Sequence, residues 1–189
     1  VSDYFVGTWQ ERKFEFGDLS ITGVSDDDEQ SISTFSGQLY ILDLKTTLKV
    51  PILIRERVEP LSNEEFEARK ASDRFFLTGD DRFDRQFEVK IGDTKRASGF
   101  EATSNGMHPA EQRKYTHKLI DKMTSDIITA DSYASSRTQL RFIHNKLYIA
   151  IENTRDTFEL RHGDENHLDL LQERFEDEAR AMTTYLDYM

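Results

Sequence analysis

The sequence predicts an α+β domain: an antiparallel or mixed sheet of about five to seven strands, with two long helices and one short helix packed on it. Three observations lead there. The first half is dominated by runs in which apolar residues recur at every second position, and the second half carries two long runs with apolar residues three and four apart. Nothing alternates in the βαβαβ manner that a doubly wound fold requires.

Taking the elements in order, Phe14 and Phe16 alternate with Lys13 and Glu15, and Leu19 and Ile21 follow across Gly17-Asp18. That pattern predicts a hairpin with one buried face, closed by the acidic run Asp26, Asp27, Asp28 and Glu29. From Phe35 to Leu44, Phe35, Gly37, Leu39 and Ile41 share one side while Tyr40, Leu42 and Leu44 share the other, as expected of a central strand covered on both faces. Leu48, Val50, Ile52 and Ile54 form another alternating face. Pro51 has no N–H to give to a ladder, so this strand is expected at an edge or with a bulge.

Ser62 followed by Glu65 reads as a capping box and predicts a short helix from Asn63 to about Ala71. Gln86 to Ile91 reads as a strand with Phe87, Val89 and Ile91 inward. Pro109 suits the first position of a long helix carrying Tyr115, Leu119, Ile120, Met123, Ile127 and Ala130 on one stripe. Leu140 and Phe142, then Leu147, Ile149 and Ile151, flank His144-Asn145-Lys146, a hairpin whose turn is expected to use the tolerance of Asn for left-handed backbone. A last long helix is expected from about His167 to Asp187, with Leu168, Leu171, Phe175, Ala179, Met182 and Leu186 on its apolar stripe.

The chain of 189 residues is read as a single domain, 1–189. Phe 13 and Tyr 7 supply enough large apolar side chains for a core, and Pro 3 with Gly 9 leaves no flexible tether between two domains. A formal net charge of -11 opposes phosphate backbones and anionic headgroups, so neither nucleic acid nor a lipid surface is an expected partner. Cys 0 removes disulfides, thiolate metal sites and a cysteine nucleophile together. No apolar run reaches the length of a membrane span or a signal-peptide core.

Phosphate-loop, dinucleotide, nucleophile-elbow and zinc-protease signatures are all absent from the sequence. His162, Asp164 and His167 form the best metal candidate, yet Gly163, Asp164 and Asn166 already serve as turn and cap for the last helix, so no metal or other cofactor is expected. The run Asp26 to Glu29, and Gly79 with Asp80, Asp81 and Asp84, lack the alternate ligand spacing of a calcium loop and read as solvated connections. The basic pairs Lys95-Arg96 and Arg113-Lys114 read as solvated too. His108, His117 or His144 would be the base of a hydrolase with a non-standard site, the alternative to a binding role. Phe75, Phe76, Phe83 and Phe87 read as core. On the acidic face of the last helix, Asp169, Glu173, Glu176 and Asp177 crowd together, which offers a docking site for a basic protein partner.

Three segments carry a family resemblance: Phe35-Ser36-Gly37-Gln38-Leu39-Tyr40-Ile41-Leu42-Asp43-Leu44, Phe83-Asp84-Arg85-Gln86-Phe87-Glu88-Val89, and Leu147-Tyr148-Ile149-Ala150-Ile151 with a closing Phe158-Glu159. In this order they resemble family three-one-three-seven of the bacterial domains of unknown function. The stretch between Val89 and Pro109 departs from the family's pattern. The resemblance moves no catalytic residue onto this chain. It implies a hydrophobic membrane-spanning pair ahead of the domain, in keeping with a start at Val1 and with an excised soluble part of a longer protein. The expected function is a non-catalytic protein-binding or scaffolding domain, held at the cytoplasmic face of a bacterial membrane by that missing N-terminal anchor. A homo-oligomer stays open.

Overall fold

The computed structural model describes residues 2–9, 11–24, 31–45, 47–72, 74–92, 108–121, 123–125, 127–128 and 137–152, together with positions 169, 172, 173 and 176. Seven strands form one antiparallel sheet: β1 (Ser2–Trp9), β2 (Arg12–Val24), β3 (Ser31–Asp43), β4 (Ile52–Glu56), β5 (Phe87–Ile91), β6 (Arg137–Ile143) and β7 (Lys146–Glu152), in the order β1-β2-β3-β7-β6-β4-β5. Among the described residues three continuous helices accompany them: α1 (Asn63–Lys70), α2 (Asp81–Gln86) and α3 (Pro109–Ile120).

The α+β expectation with two long helices is overturned, because the described residues are mainly sheet and no described helix exceeds the 12 residues of α3. The predicted long helix after Pro109 stops at Ile120. Asp121 N–H donates to the His117 carbonyl at 2.9 Å and Met123 N–H to the Ile120 carbonyl at 2.7 Å, which tightens the chain into a three-residue turn. Helical backbone resumes at Thr124, and Ile120, Met123, Ile127 and Ile128 are all buried. An apolar stripe is satisfied equally by one long helix or by two short ones, so its spacing could not reveal the break. Of the last predicted helix, Asp169, Gln172, Glu173 and Glu176 are helical, whereas its stripe from Leu168 to Leu186 lies outside the described residues.

The strands differ from expectation in three places. Gly17-Asp18 is no turn: β2 runs through it as 13 continuous residues. The turn into β2 lies earlier, at Glu11, whose φ is 67°. Pro51 precedes β4 rather than interrupting it, and β4 is an interior strand between β5 and β6, so the edge expectation fails as well. In the β6–β7 hairpin the left-handed residue is His144, at φ 52°, rather than Asn145.

Two rows of side chains cross the whole sheet on its core face. The registers align Phe5, Phe16, Tyr40, Ile149, Leu140, Ile54 and Val89 in one row. They align Gly7, Phe14, Leu42, Leu147, Phe142, Ile52 and Ile91 in the next. Gly7 is needed in that row because a Cβ there would meet the Phe14 ring at 2.5 Å.

α1, α2 and α3 gather at the β5 end. Ser62 caps α1 by accepting from Glu65 N–H while the Glu65 carboxylate accepts from Ser62 N–H, as the capping box predicted. Phe66 of α1 is fully buried between Lys70 and Arg85, each 4.3 Å from its ring centre. Phe83 of α2 stacks on Phe87 at 4.8 Å.

Candidate functional site

β1, β2 and β3 form a wing at the end of the sheet remote from β5, where α1, α2 and α3 gather. Its back face, opposite the core rows, presents Tyr4 and Val6 of β1, Leu19 and Ile21 of β2, and Leu39 and Ile41 of β3. Tyr4 is 58% exposed, Val6 63% and Ile21 48%, while Leu19, Leu39 and Ile41 are half-buried. Exposed apolar surface of this kind makes the face a candidate for interaction.

Gly17 shapes the centre of that surface. It pairs with Tyr4 on one side and Leu39 on the other, and with no side chain of its own it leaves a hollow of about 100 Å³ walled by Tyr4, Leu19, Leu39 and Ile41. The hollow has the volume of one aliphatic side chain. On its rim the Tyr4 hydroxyl donates to Glu15 Oε2 at 2.7 Å, and this bond raises the Tyr4 pKa above its ordinary value. The phenol therefore stays protonated at physiological pH, its proton given to Glu15. Among the described residues β1 is also the outer strand of the sheet, so its outer edge presents backbone that no described strand pairs, the side on which a further strand could add.

Residues singled out from the sequence lie elsewhere. His108 is the N-cap of α3, where Nδ1 accepts from Ala110 N–H at 3.4 Å. His117 lies against Phe76, ring centres 4.3 Å apart, with Asp121 Oδ1 3.8 Å from its Nδ1. His144 occupies the β6–β7 turn. The three are committed to a cap, a ring contact and a turn, and the structure does not bring them together. His162, Asp164 and His167 lie outside the described residues, as do Asp177 and the run Asp26 to Glu29. Asp169, Glu173 and Glu176 are exposed on helical backbone, and Glu176 accepts from Gln172 Nε2 at 2.8 Å. Among the described residues no group of three or more His, Asp and Glu side chains is placed to hold a metal ion.

Asp84 is not the solvated residue that its acidic neighbourhood suggested. Its carboxylate accepts from Thr78 N–H at 2.8 Å, Thr78 Oγ1 at 2.9 Å and Gly79 N–H at 3.0 Å, and Asp80 caps α2 through Arg82 and Phe83 N–H. Burial raises the Asp84 pKa, against those three bonds, which lower it. The group organises a turn and a helix start.

The wing surface escaped sequence reading because Gly17-Asp18 looked like a turn, and Tyr4-Phe5-Val6 shows no alternation. Knowing that β2 is continuous would have placed Leu19 and Ile21 on the same face as Gly17.

Comparison with known proteins adds one distant likeness. No family model matches the chain, and no curated relative matches it. Among solved structures, the crystal structure of the mycobacterial trehalose monomycolate transport factor A, TtfA, is similar at a TM-score of 0.43 and 11% identity, over 98% of this chain and 70% of that one.

Proposed function

We propose that this chain is a non-catalytic protein-binding domain whose wing takes an extended apolar segment of a partner protein. The observation that carries the reading is the exposed apolar back face around Gly17, beside β1, the outer strand among the described residues. Strand addition draws affinity from backbone hydrogen bonds and selectivity from pockets that receive alternate side chains, and this surface offers both. The acidic face at Asp169, Glu173, Glu176 and Asp177 is a second, electrostatic contact in the same proposal.

Membership of family three-one-three-seven, and with it a bacterial membrane anchor upstream, belongs to the proposal too. Its quoted segments form most of β3, the α2–β5 passage and most of β7. No described helix is long and apolar enough to cross a membrane.

The test places a photo-crosslinking residue at Val6, with Arg82 on α2 as the control position. A protein adduct at Val6 that is absent at Arg82, and that disappears when Ile21 is changed to Lys, supports the reading. Adducts of equal yield at both positions sink it. If the adduct is a second copy of this chain, the partner is the chain itself and sedimentation will depend on concentration.

A further inference from the structure

On the opposite side of the molecule from the wing, a cleft of about 430 Å³ opens between β5, the start of α3 and the segment that follows α1. Four arginines line it, Arg57, Arg69, Arg74 and Arg113, together with Lys90, and among the described residues Glu88 is the one carboxylate in its wall. Such a gathering of cations is unexpected in a chain whose net charge is -11. Like charges drawn together in a partly desolvated space repel, so an arrangement of this kind is stable in itself only to the extent that anions answer it.

Glu88 answers part of it. Its carboxylate lies 3.0 Å from Arg55, 3.4 Å from Lys90 and 4.0 Å from Arg69. Burial works to raise its pKa, but Lys90, Arg57 and Arg55 outweigh burial and hold it below the usual carboxylate range, so it stays ionised. It therefore cannot act as a proton donor near neutrality. Arg57 and Arg74 have no carboxylate within ion-pair distance among the described residues. Arg57 is the most exacting of the set. Its Nη2 donates to the Phe87 carbonyl at 3.3 Å, while its Nε is buried with no partner among the described residues. Burial first, and then the neighbouring Arg69, pull its pKa below the ordinary arginine value against the opposing pull of Glu88.

Two of these guanidinium groups are also held in place. Arg69 stacks over the Phe75 ring at 4.3 Å, and Arg113 Nη1 donates to the Phe75 carbonyl at 3.4 Å. Planar forks fixed in this way match the oxygens of a carboxylate or a phosphate. The remaining charge decides between them. Arg113 has further interactions of its own, which leaves Arg57, Arg69, Arg74 and Lys90 to be answered. Among the described residues Glu88 is the one carboxylate in the wall that answers them, and a carboxylate ligand would add one more, whereas a phosphate monoester brings about two negative charges near neutrality. The size of the cleft matches a small organic molecule rather than a bare ion. Phe75, Leu77 and Pro109 supply an apolar wall for the organic part.

We propose that this cleft is a binding site for a small soluble phosphate monoester with an apolar or aromatic body, held by Arg57, Arg69, Arg74 and Arg113. The proposal is independent of the protein-binding role of the wing. Monoesters on an anionic lipid surface are the less suited source, because the domain's overall negative charge opposes such a surface.

The experiment is calorimetric titration of the chain with phenyl phosphate, phenyl sulfate and inorganic phosphate at pH about 8, where the monoester is a dianion. Phenyl phosphate is expected to bind at least about 10-fold more tightly than either of the others, the sulfate testing charge and the inorganic ion testing the apolar wall. Arg57→Gln and Arg74→Gln should each weaken binding by about 5- to 100-fold, and Glu88→Gln should strengthen it. Arg82→Gln, exposed on α2 and outside the cleft, should change nothing. Arg74 is exposed, so its variant reports on binding even if Arg57→Gln fails to fold. The proposal is overturned by the absence of saturable binding at millimolar phenyl phosphate, by equal affinity for phenyl sulfate or inorganic phosphate, or by an equal loss in Arg82→Gln. Recruitment to phosphatidic-acid vesicles in preference to the free ester overturns it as well.

Discussion

A single row of side chains runs from Val89 on β5 to Phe5 on β1, and the two ends of that row live in different surroundings. Through Ile54, Leu140 and Ile149 it is essentially closed to solvent; it is 8% exposed at Phe16 and 51% exposed at Phe5. At the β5 end the row lies with Phe83, Ile120, Met123 and Ile127 in one hydrophobic cluster. At the β1 end its neighbours are aromatic: Phe5 stacks on Phe16 at 5.9 Å and Phe16 on Tyr40 at 4.6 Å. The same sheet, with the same backbone pairing, is thus a core at one end and an accessible surface at the other. Two things go with the difference: α1, α2 and α3 stand at the β5 end, and the strands of the wing are themselves less apolar than those of the packed half.

The largest expected effect tests that contrast directly. Leu140→Ala removes a fully buried side chain from the middle of the row and should cost about 2–5 kcal/mol, whereas Phe5→Ala at the open end should cost about 0.5–1.5 kcal/mol, mostly its stacking on Phe16. Denaturant unfolding of both variants checks it. Equal losses would mean that the wing is as tightly packed as the rest, and the contrast would fall.

A smaller effect is expected at Asp84, which serves the packed half by a polar route. Asp84→Ala leaves the N–H groups of Thr78 and Gly79 and the Thr78 hydroxyl without their acceptor, and should cost about 1–3 kcal/mol. The pH dependence has a definite sign. Because the folded pKa of Asp84 is raised, its contribution is most favourable at low pH and is lost as pH rises through that raised value. Glu88 works in the other direction: its folded pKa is lowered, so its contribution is complete above the ordinary carboxylate value of about 4.3 and is lost as pH falls through the lowered one. Thermal melts across the acid range should therefore show a shallower loss of stability in Glu88→Gln than in the parent chain. An unchanged acid limb would remove Glu88 from the account.

How far the sequence was legible follows the same division. Local chemistry read true where it was self-contained: Ser62 with Glu65, Pro109 at the first position of α3, and the inward faces of β4, β6 and β7. It failed where a residue's role depends on what lies across from it. Gly17 looks like a turn until Tyr4 and Leu39 are seen to flank it. The stripe from Tyr115 to Ile127 looks like one helix until the turn at Ile120 is seen. The cationic cleft was illegible for the same reason. Arg57, Arg69, Arg74 and Arg113 come from separate segments, and no spacing links them before the chain folds.

The smallest effect on stability carries the most weight for function. Val6 lies on the back face of the wing, 63% exposed, and a lysine there keeps the strand pairing with Glu15 while placing a cation beside that carboxylate. Exposed substitutions of this type change stability by no more than about 0.5 kcal/mol, and lysine on an edge strand opposes the addition of further strands. Val6→Lys should therefore melt with the parent chain yet lose its partner, which can be followed by the protection of β1 backbone amides in hydrogen exchange when the partner is added. In the parent chain those amides should become protected on binding; in Val6→Lys they should exchange as in the free domain. If the variant instead melts well below the parent, the wing is held by packing that its exposure does not reveal, and the two ends of the sheet are more alike than the row from Val89 to Phe5 suggests. If it melts with the parent and keeps its partner, the docking surface lies elsewhere, and the acidic positions Asp169, Glu173 and Glu176 become the next to reverse.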